Sequence, residues 1–285
     1  MKKLFTLLLF TMLPVLISSQ SVIVESEGIA SMGDTKSRKE TISDATNNAK
    51  KHATENAGTY LKSETVIKNY ITEQDVLETY SQAIVKIIEI ISGEWFKDSE
   101  MGDCYRIAIK AEVIPNFDKM ENIINDSAMI DDPTAPLTIK IWTNNKDNTY
   151  RKDDKIKIYL KGNKPFYARV VYNQLDGSQV QILPNPFRKD NYFNGSTIYE
   201  LPSGKDQYAL EITPPYGKED ITVYASTEKL GDVKLTDTGN LYVVNENRED
   251  TKIKTRGLKI VEKNKKSGIK AAEFFETKVE ITTEK

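Results

Sequence analysis

The sequence predicts an α+β domain, a long helix packed on an antiparallel sheet, followed by an all-β, sandwich-like domain. Three observations predict it. A stripe of small apolar residues recurs at helical spacing from Ile42 to Leu61 within an otherwise polar segment. Two runs that suit strands, Ala83 to Lys97 and Tyr105 to Val113, flank the turn-like Asp98-Ser-Glu-Met-Gly102. Beyond Leu137, short alternating runs are separated by turn residues at roughly the 8–12-residue spacing of all-β domains.

The chain opens Met1-Lys2-Lys3, continues with an apolar run from Leu4 to Ile17 broken only by Thr6, Thr11 and Pro14, and then reads Ser18-Ser19-Gln20. A basic start, a short apolar stretch and small residues are the parts of a secretory signal peptide. The run falls short of the roughly 20 apolar residues that a spanning helix needs. Residues 1–19 are therefore read as a signal peptide, with cleavage between Ser19 and Gln20. No cysteine stands directly after the apolar run and no second segment is apolar enough to span. These features predict an exported, soluble chain, periplasmic or at the cell surface or secreted, with no lipid anchor and no membrane span after cleavage. Loss of Lys2 and Lys3 takes the net charge from −2 to about −4, which gives no overall preference for nucleic acid.

The first domain is placed at residues 21–115. Ser21 to Gly28 alternates with β-branched residues and reads as a strand. Asp34 or Thr35 is the expected helix cap. From there Ile42, Ala45, Ala49, Ala53, Ala57 and Leu61 place a narrow stripe on one helix face, and such small residues let a helix lie close to a sheet. Thr72-Glu-Gln-Asp75 resembles a capping box for a short second helix. The two strand-like runs that follow form a hairpin, with Tyr105, Ile107, Ile109, Ala111 and Val113 on one face and Cys104, Arg106, Lys110 and Glu112 on the other.

Residues 116–136 are crowded with Asn, Asp and Pro and read as a linker, with one helical turn expected near Lys119 to Ile124. Asp126-Ser127-Ala128 within it matches a short acceptor motif for O-glycosylation, which makes Ser127 the candidate modification site. The second domain is placed at residues 137–285. Its expected strands are Leu137–Thr143, Lys155–Lys161, Phe166–Asn173, Gln179–Leu183, Thr197–Leu201, Tyr208–Thr213 and Ile221–Ser226, with further strands at Leu241–Val244, Arg256–Val261 and Phe274–Ile281.

Two resemblances rest on particular residues. Glu27-Gly28 closing the first strand, the alanine-striped helix to Ala57-Gly58, Ser63-Glu-Thr-Val66 and the Tyr105–Val113 strand resemble the N-terminal domain of the flagellar assembly protein T and the related small α+β unit of certain bacterial lipoproteins. That resemblance implies fold more than task. Tyr150-Arg-Lys-Asp-Asp154, Phe166-Tyr167 to Tyr172, Asp176-Gly177, Leu183-Pro184-Asn185, Leu201-Pro202 and Pro214-Pro215-Tyr-Gly217 fall in the order of a widespread bacterial envelope domain of unknown function, family number 4384. Asp153 stands where that family commonly has Gly. The resemblance implies no active site.

The chemistry is bounded by what is scarce. His52 is the only histidine and Cys104 the only cysteine, so neither a histidine-based triad nor a multi-histidine or multi-cysteine metal site can be built, and no disulfide can form within the chain. No Walker-type or dinucleotide-binding glycine loop occurs. No catalytic residue, cofactor or metal is assigned. Paired carboxylates such as Glu25 with Glu27 or Asp153 with Asp154 keep a hydrolase as the third reading. Aromatic residues crowd the second domain, where they serve either a core or a ligand-binding face; Tyr192, Phe193, Trp142 and Tyr216 are the candidate contacts, with the Tyr192-Phe193 loop first. Basic residues crowd Lys252 to Lys270, which reads either as a polyanion contact or as a solvated, lysine-protected edge. The function expected is a non-catalytic envelope module that binds or assembles with other components. Its partner is an envelope protein or polysaccharide, a carbohydrate-binding module being the alternative.

Overall fold

The computed structural model describes residues 19–64, 80, 82–115, 129–257 and 270–285. Residues 1–18 of the signal segment, the Thr72–Asp75 capping box, the turn expected near Lys119 and the Ser127 motif all lie outside the described residues.

β1 spans Ser19–Ser31 and leads to α1, Arg38–Glu64. The helix starts later than Asp34 or Thr35 because Ser37 and Glu40 close a capping box. The Glu40 carboxylate accepts from Ser37 N at 2.7 Å, while Ser37 Oγ accepts from Glu40 N at 3.2 Å. The buried stripe is Thr41, Ala45, Ala49, Ala53, Ala57 and Leu61, all at 0% exposure, whereas Ile42 points outward. The strict four-residue spacing selects Thr41 over its neighbour. Its hydroxyl bonds back to Ser37 O at 3.0 Å, so its burial leaves no polar group unpaired.

β2 (Ile84–Asp98) and β3 (Gly102–Ile114) form the expected hairpin, in which the Asp98 carboxylate accepts from the backbone N–H of Glu100 and Met101, both at 2.9 Å. After a short 3-10 turn at Met129–Asp131 come β4 (Ile139–Thr143), β5 (Thr149–Arg151), β6 (Lys155–Ile156), β7 (Ile158–Gly162), β8 (Phe166–Asn173) and β9 (Gln179–Leu183). They are followed by β10 (Tyr192–Phe193), β11 (Ile198–Leu201), β12 (Leu210–Glu211), β13 (Lys218–Ser226), β14 (Leu235–Asp237) and β15 (Tyr242–Val244). The chain closes with α2 (Arg248–Thr255) and β16 (Ala271–Glu284). The strand expected at Arg256–Val261 does not begin at Arg256. Asn247 caps α2, accepting from Asp250 N at 2.9 Å, and Arg256 is that helix's C-terminal cap; residues 258–261 lie outside the described set.

Most of the strands join one sheet in the order β14-β15-β9-β8-β13-β16-β1-β3-β2, antiparallel throughout this path. β16, read from the sequence as part of the second unit, pairs with β13 on one side and with β1 of the first unit on the other. The residues of both units therefore share a single hydrogen-bonded sheet. On one face, α1 covers β1 and β3 through Val22, Val24, Ile107, Ile109, Ala111 and Val113. Farther along that face the small sheet β11-β7-β4 packs over β8, β13 and β16, burying Ile141, Leu160, Phe166, Val170, Val223 and Phe275. The opposite face carries a smaller cluster built on Ile23, Val171, Tyr224 and Phe274.

Two polar devices hold the N-terminal layer in place. Beyond Val24, β1 has no described strand as its partner on the side away from β3. The carbonyls of Ile29, Glu27 and Glu25 on that edge meet Asn48 Nδ2 (2.8 Å), His52 Nδ1 (2.7 Å) and Asn56 Nδ2 (3.4 Å) of α1. A carbonyl only accepts, so His52 donates from Nδ1. The sole histidine is thus exposed and also caps a β1 carbonyl on the side that no described strand covers. On the opposite face, Arg256 reaches from the end of α2 to Glu112 of β3 (Nε to Oε1, 2.6 Å) and Glu276 of β16 (Nη2 to Oε2, 2.6 Å). Ser21 of β1 donates to the same Glu112 carboxylate at 2.7 Å. Burial alone would lower the Arg256 pKa, but the two carboxylates outweigh it and hold the guanidinium above its ordinary value.

Candidate functional site

The solvent face of β11-β7-β4 is built by strict alternation. Ile139, Ile141, Ile158, Leu160 and Leu201 turn inward to the core, which forces their neighbours outward. Register then aligns those neighbours in two rows across the strands. Trp142 lies opposite Tyr159, and Tyr159 opposite Glu200; Lys140 lies opposite Lys161, and Lys161 opposite Ile198. The half-buried Trp142 and Tyr159 rings form an offset stack with centroids 5.6 Å apart and planes at 16°.

Charge is arranged around that stack. Lys157 Nζ lies 2.9 Å from the Glu200 carboxylate. Hydrogen bonding from Lys157, reinforced by the Tyr159 hydroxyl and opposed by slight desolvation, holds the Glu200 carboxyl below its usual range. Lys161 is paired with Asp131 of the 3-10 turn. The Lys140 ammonium lies 5.9 Å from the centroid of the Trp142 ring and, among the described residues, has no carboxylate partner. Lys140 and Lys161 are directly opposite each other, a cross-strand like-charge pair that costs stability unless something compensates it.

The other predicted contacts fall elsewhere. Phe193 is 1% exposed, stacked on Phe166 at 5.2 Å and meeting Tyr199 edge-on at 4.8 Å, so it is a core residue and not a surface contact. Alternation turns its neighbour Tyr192 outward, 44% exposed and tilted against Tyr167 at 5.0 Å, on the face of the large sheet away from β11-β7-β4. Tyr216 is partly buried against the main core. Trp142 is therefore brought together with Tyr159, Lys140, Lys161 and Glu200, but not with Tyr192 or Tyr216. Reasoning from aromatic residues alone passed over the lysines and Glu200; the period-two pattern within Ile139–Thr143 and Ile158–Gly162 was the signal that could have found them.

Ser19 and Gln20, at the expected cleavage position, open β1 opposite Glu276 and Phe275, and Gln20 is buried. Cys104 is buried and free. Glu25 is paired with Lys270 at 3.2 Å, and the Asp154 carboxylate accepts from Arg151 N at 2.7 Å. Asp153 adopts φ +67, the left-handed conformation for which Gly is suited and which Asp tolerates better than most residues. Described members of the basic C-terminal run are matched to carboxylates: Lys252 to Glu276, Lys254 to Glu246, Arg256 to Glu112 and Lys270 to Glu25. Among the described residues, no cluster of three or more His, Cys, Asp or Glu side chains could hold a metal ion, and no helix is long and apolar enough to cross a membrane.

Residues 149–229 match the model of a family described as "Domain of unknown function (DUF4384)". The punctuated positions from Tyr150 to Gly217 that carry the sequence resemblance fall inside this match. No curated protein and no solved structure matches the chain.

Proposed function

We propose that the chain is a non-catalytic, exported module of the cell envelope that binds or assembles with its partner through the solvent face of β11-β7-β4. The observation that carries this reading is the row Trp142–Tyr159–Glu200, which presents two half-buried aromatic rings and a carboxylate on a sheet face whose other side is fully packed. Aromatic residues set in a charged surround are the anatomy of a contact surface. The signal segment supports export. The absence of a second histidine or cysteine in the sequence supports a non-catalytic role.

A photo-crosslinking amino acid at position 140, compared with one at position 192 on the other face, tests the reading in the native envelope. A discrete adduct is expected from position 140 and none of the same mass from position 192. Equal or absent adducts from both would sink it. A carbohydrate ligand is the second reading, favoured by one observation: the offset Trp142–Tyr159 stack is bordered by lysines, with Ile198 the one large aliphatic side chain among the described outward residues of the face.

A further inference from the structure

We infer that the face of β11-β7-β4 binds an acidic saccharide, its sugar ring stacked on Trp142 and Tyr159 and its carboxylate held between Lys140 and Lys161. The inference rests on the carbohydrate reading above and adds the charge of the ligand.

Three features argue for it. Among the described residues the face carries Lys140, Lys157 and Lys161 against Glu200 and Asp131, and the cation without a carboxylate partner among them is Lys140, beside the ring pair. Lys140 and Lys161 stand opposite each other across the β4–β7 register, and among the described residues only Lys161 of the two has a carboxylate partner, Asp131. A ligand carboxylate placed there would supply the anion that Lys140 lacks. The aromatic pair lies one register step away, within the span of a single pyranose ring, whose C–H face matches an aromatic surface while its hydroxyls need donors and acceptors at the rim. Lys157 and Glu200, already aligned at 2.9 Å, supply both kinds.

Protein partners suit this face less well, since Ile198 is its only large aliphatic side chain among the described outward residues, at 59% exposure. A highly charged polyanion is also a poorer match, because two of the three lysines are already neutralised.

Calorimetric titration of the full chain with xylo-oligosaccharides carrying one glucuronic acid, against neutral xylo-oligosaccharides of equal length, tests the inference. Binding of the carboxylated sugar and none of the neutral one is expected, with Trp142→Ala weakening it about tenfold. Lys140→Ala should weaken it about fivefold, and Lys189→Ala, on an exposed loop, should leave it unchanged. Equal losses for Lys140→Ala and Lys189→Ala would mean a diffuse charge effect and overturn the proposal. Equal affinity for both sugars overturns the charge assignment. No binding of either sugar, together with a specific crosslink at position 140, overturns the saccharide while leaving the contact face standing; loss of both removes the face as well. Unchanged urea midpoints for the variants keep folding out of the comparison.

Discussion

The Arg256 side chain joins elements that lie far apart along the chain. Its guanidinium, 5% exposed, joins the end of α2 to β3 and β16 through Glu112 and Glu276, and it also lies 4.6 Å from the centroid of the Phe274 ring. Bringing these charges out of water is expensive, and only the mutual satisfaction of all three groups offsets it. Arg256→Ala would leave the buried Glu112 without a cation and Glu276 with Lys252 alone. The expected cost is about 3–5 kcal/mol in a urea unfolding experiment. A loss under about 1 kcal/mol would show that water reaches Glu112 easily and that the triad matters little. None of this could be read along the chain, because Glu112 and Arg256 are 144 positions apart. In the sequence, Arg256 was simply one cation in a basic run.

At the scale of elements, the seating of α1 on β1 depends on how close two backbones come. A Cβ added at Gly28 would lie 2.1 Å from Ala45 O and 2.3 Å from Ala49 N. Both are backbone atoms, so the clash cannot be relieved by turning a side chain. The alanine stripe and Gly28 are therefore two halves of one fit, with the edge contacts from Asn48, His52 and Asn56 depending on the same approach. Gly28→Ala should push the helix from the sheet and cost about 1–3 kcal/mol or more, read as a shift of the urea midpoint. A neutral result would mean the helix can slide along its stripe without loss. The stripe and its closeness to a sheet were legible because small residues recurred every fourth position. The start of the helix was misplaced because Asp34, Thr35 and Ser37 all suit a cap, and only the reciprocal pairing of Ser37 with Glu40 separates them.

For the whole molecule, the decisive element is the last one. β16 lies between β13 and β1 and pairs with both, so the C-terminal strand forms the middle of the sheet. Deleting residues 271–285 would open the facing edges of β1 and β13 and take the buried Phe274, Phe275, Val279 and Ile281 out of the core. The truncated chain is expected to lose its near-ultraviolet circular dichroism and its cooperative unfolding transition across both halves. A sharp transition retained by the first 115 residues would instead show that the N-terminal layer is stable without the strand. The sequence by itself determined the kinds of element: an alanine-faced helix, a long hairpin, then short strands, several of them with bounds that match, such as Phe166–Asn173 and Gln179–Leu183. It did so because periodicity and turn chemistry are local properties, carried by neighbouring residues. Only the tertiary structure decided that β16 joins the two sets of strands, that Phe193 is inside while Tyr192 is outside, and that Trp142 meets Tyr159, Lys140 and Glu200. Pairing and register between distant strands are set by which faces can be buried together, and that choice exists only once the whole chain has packed.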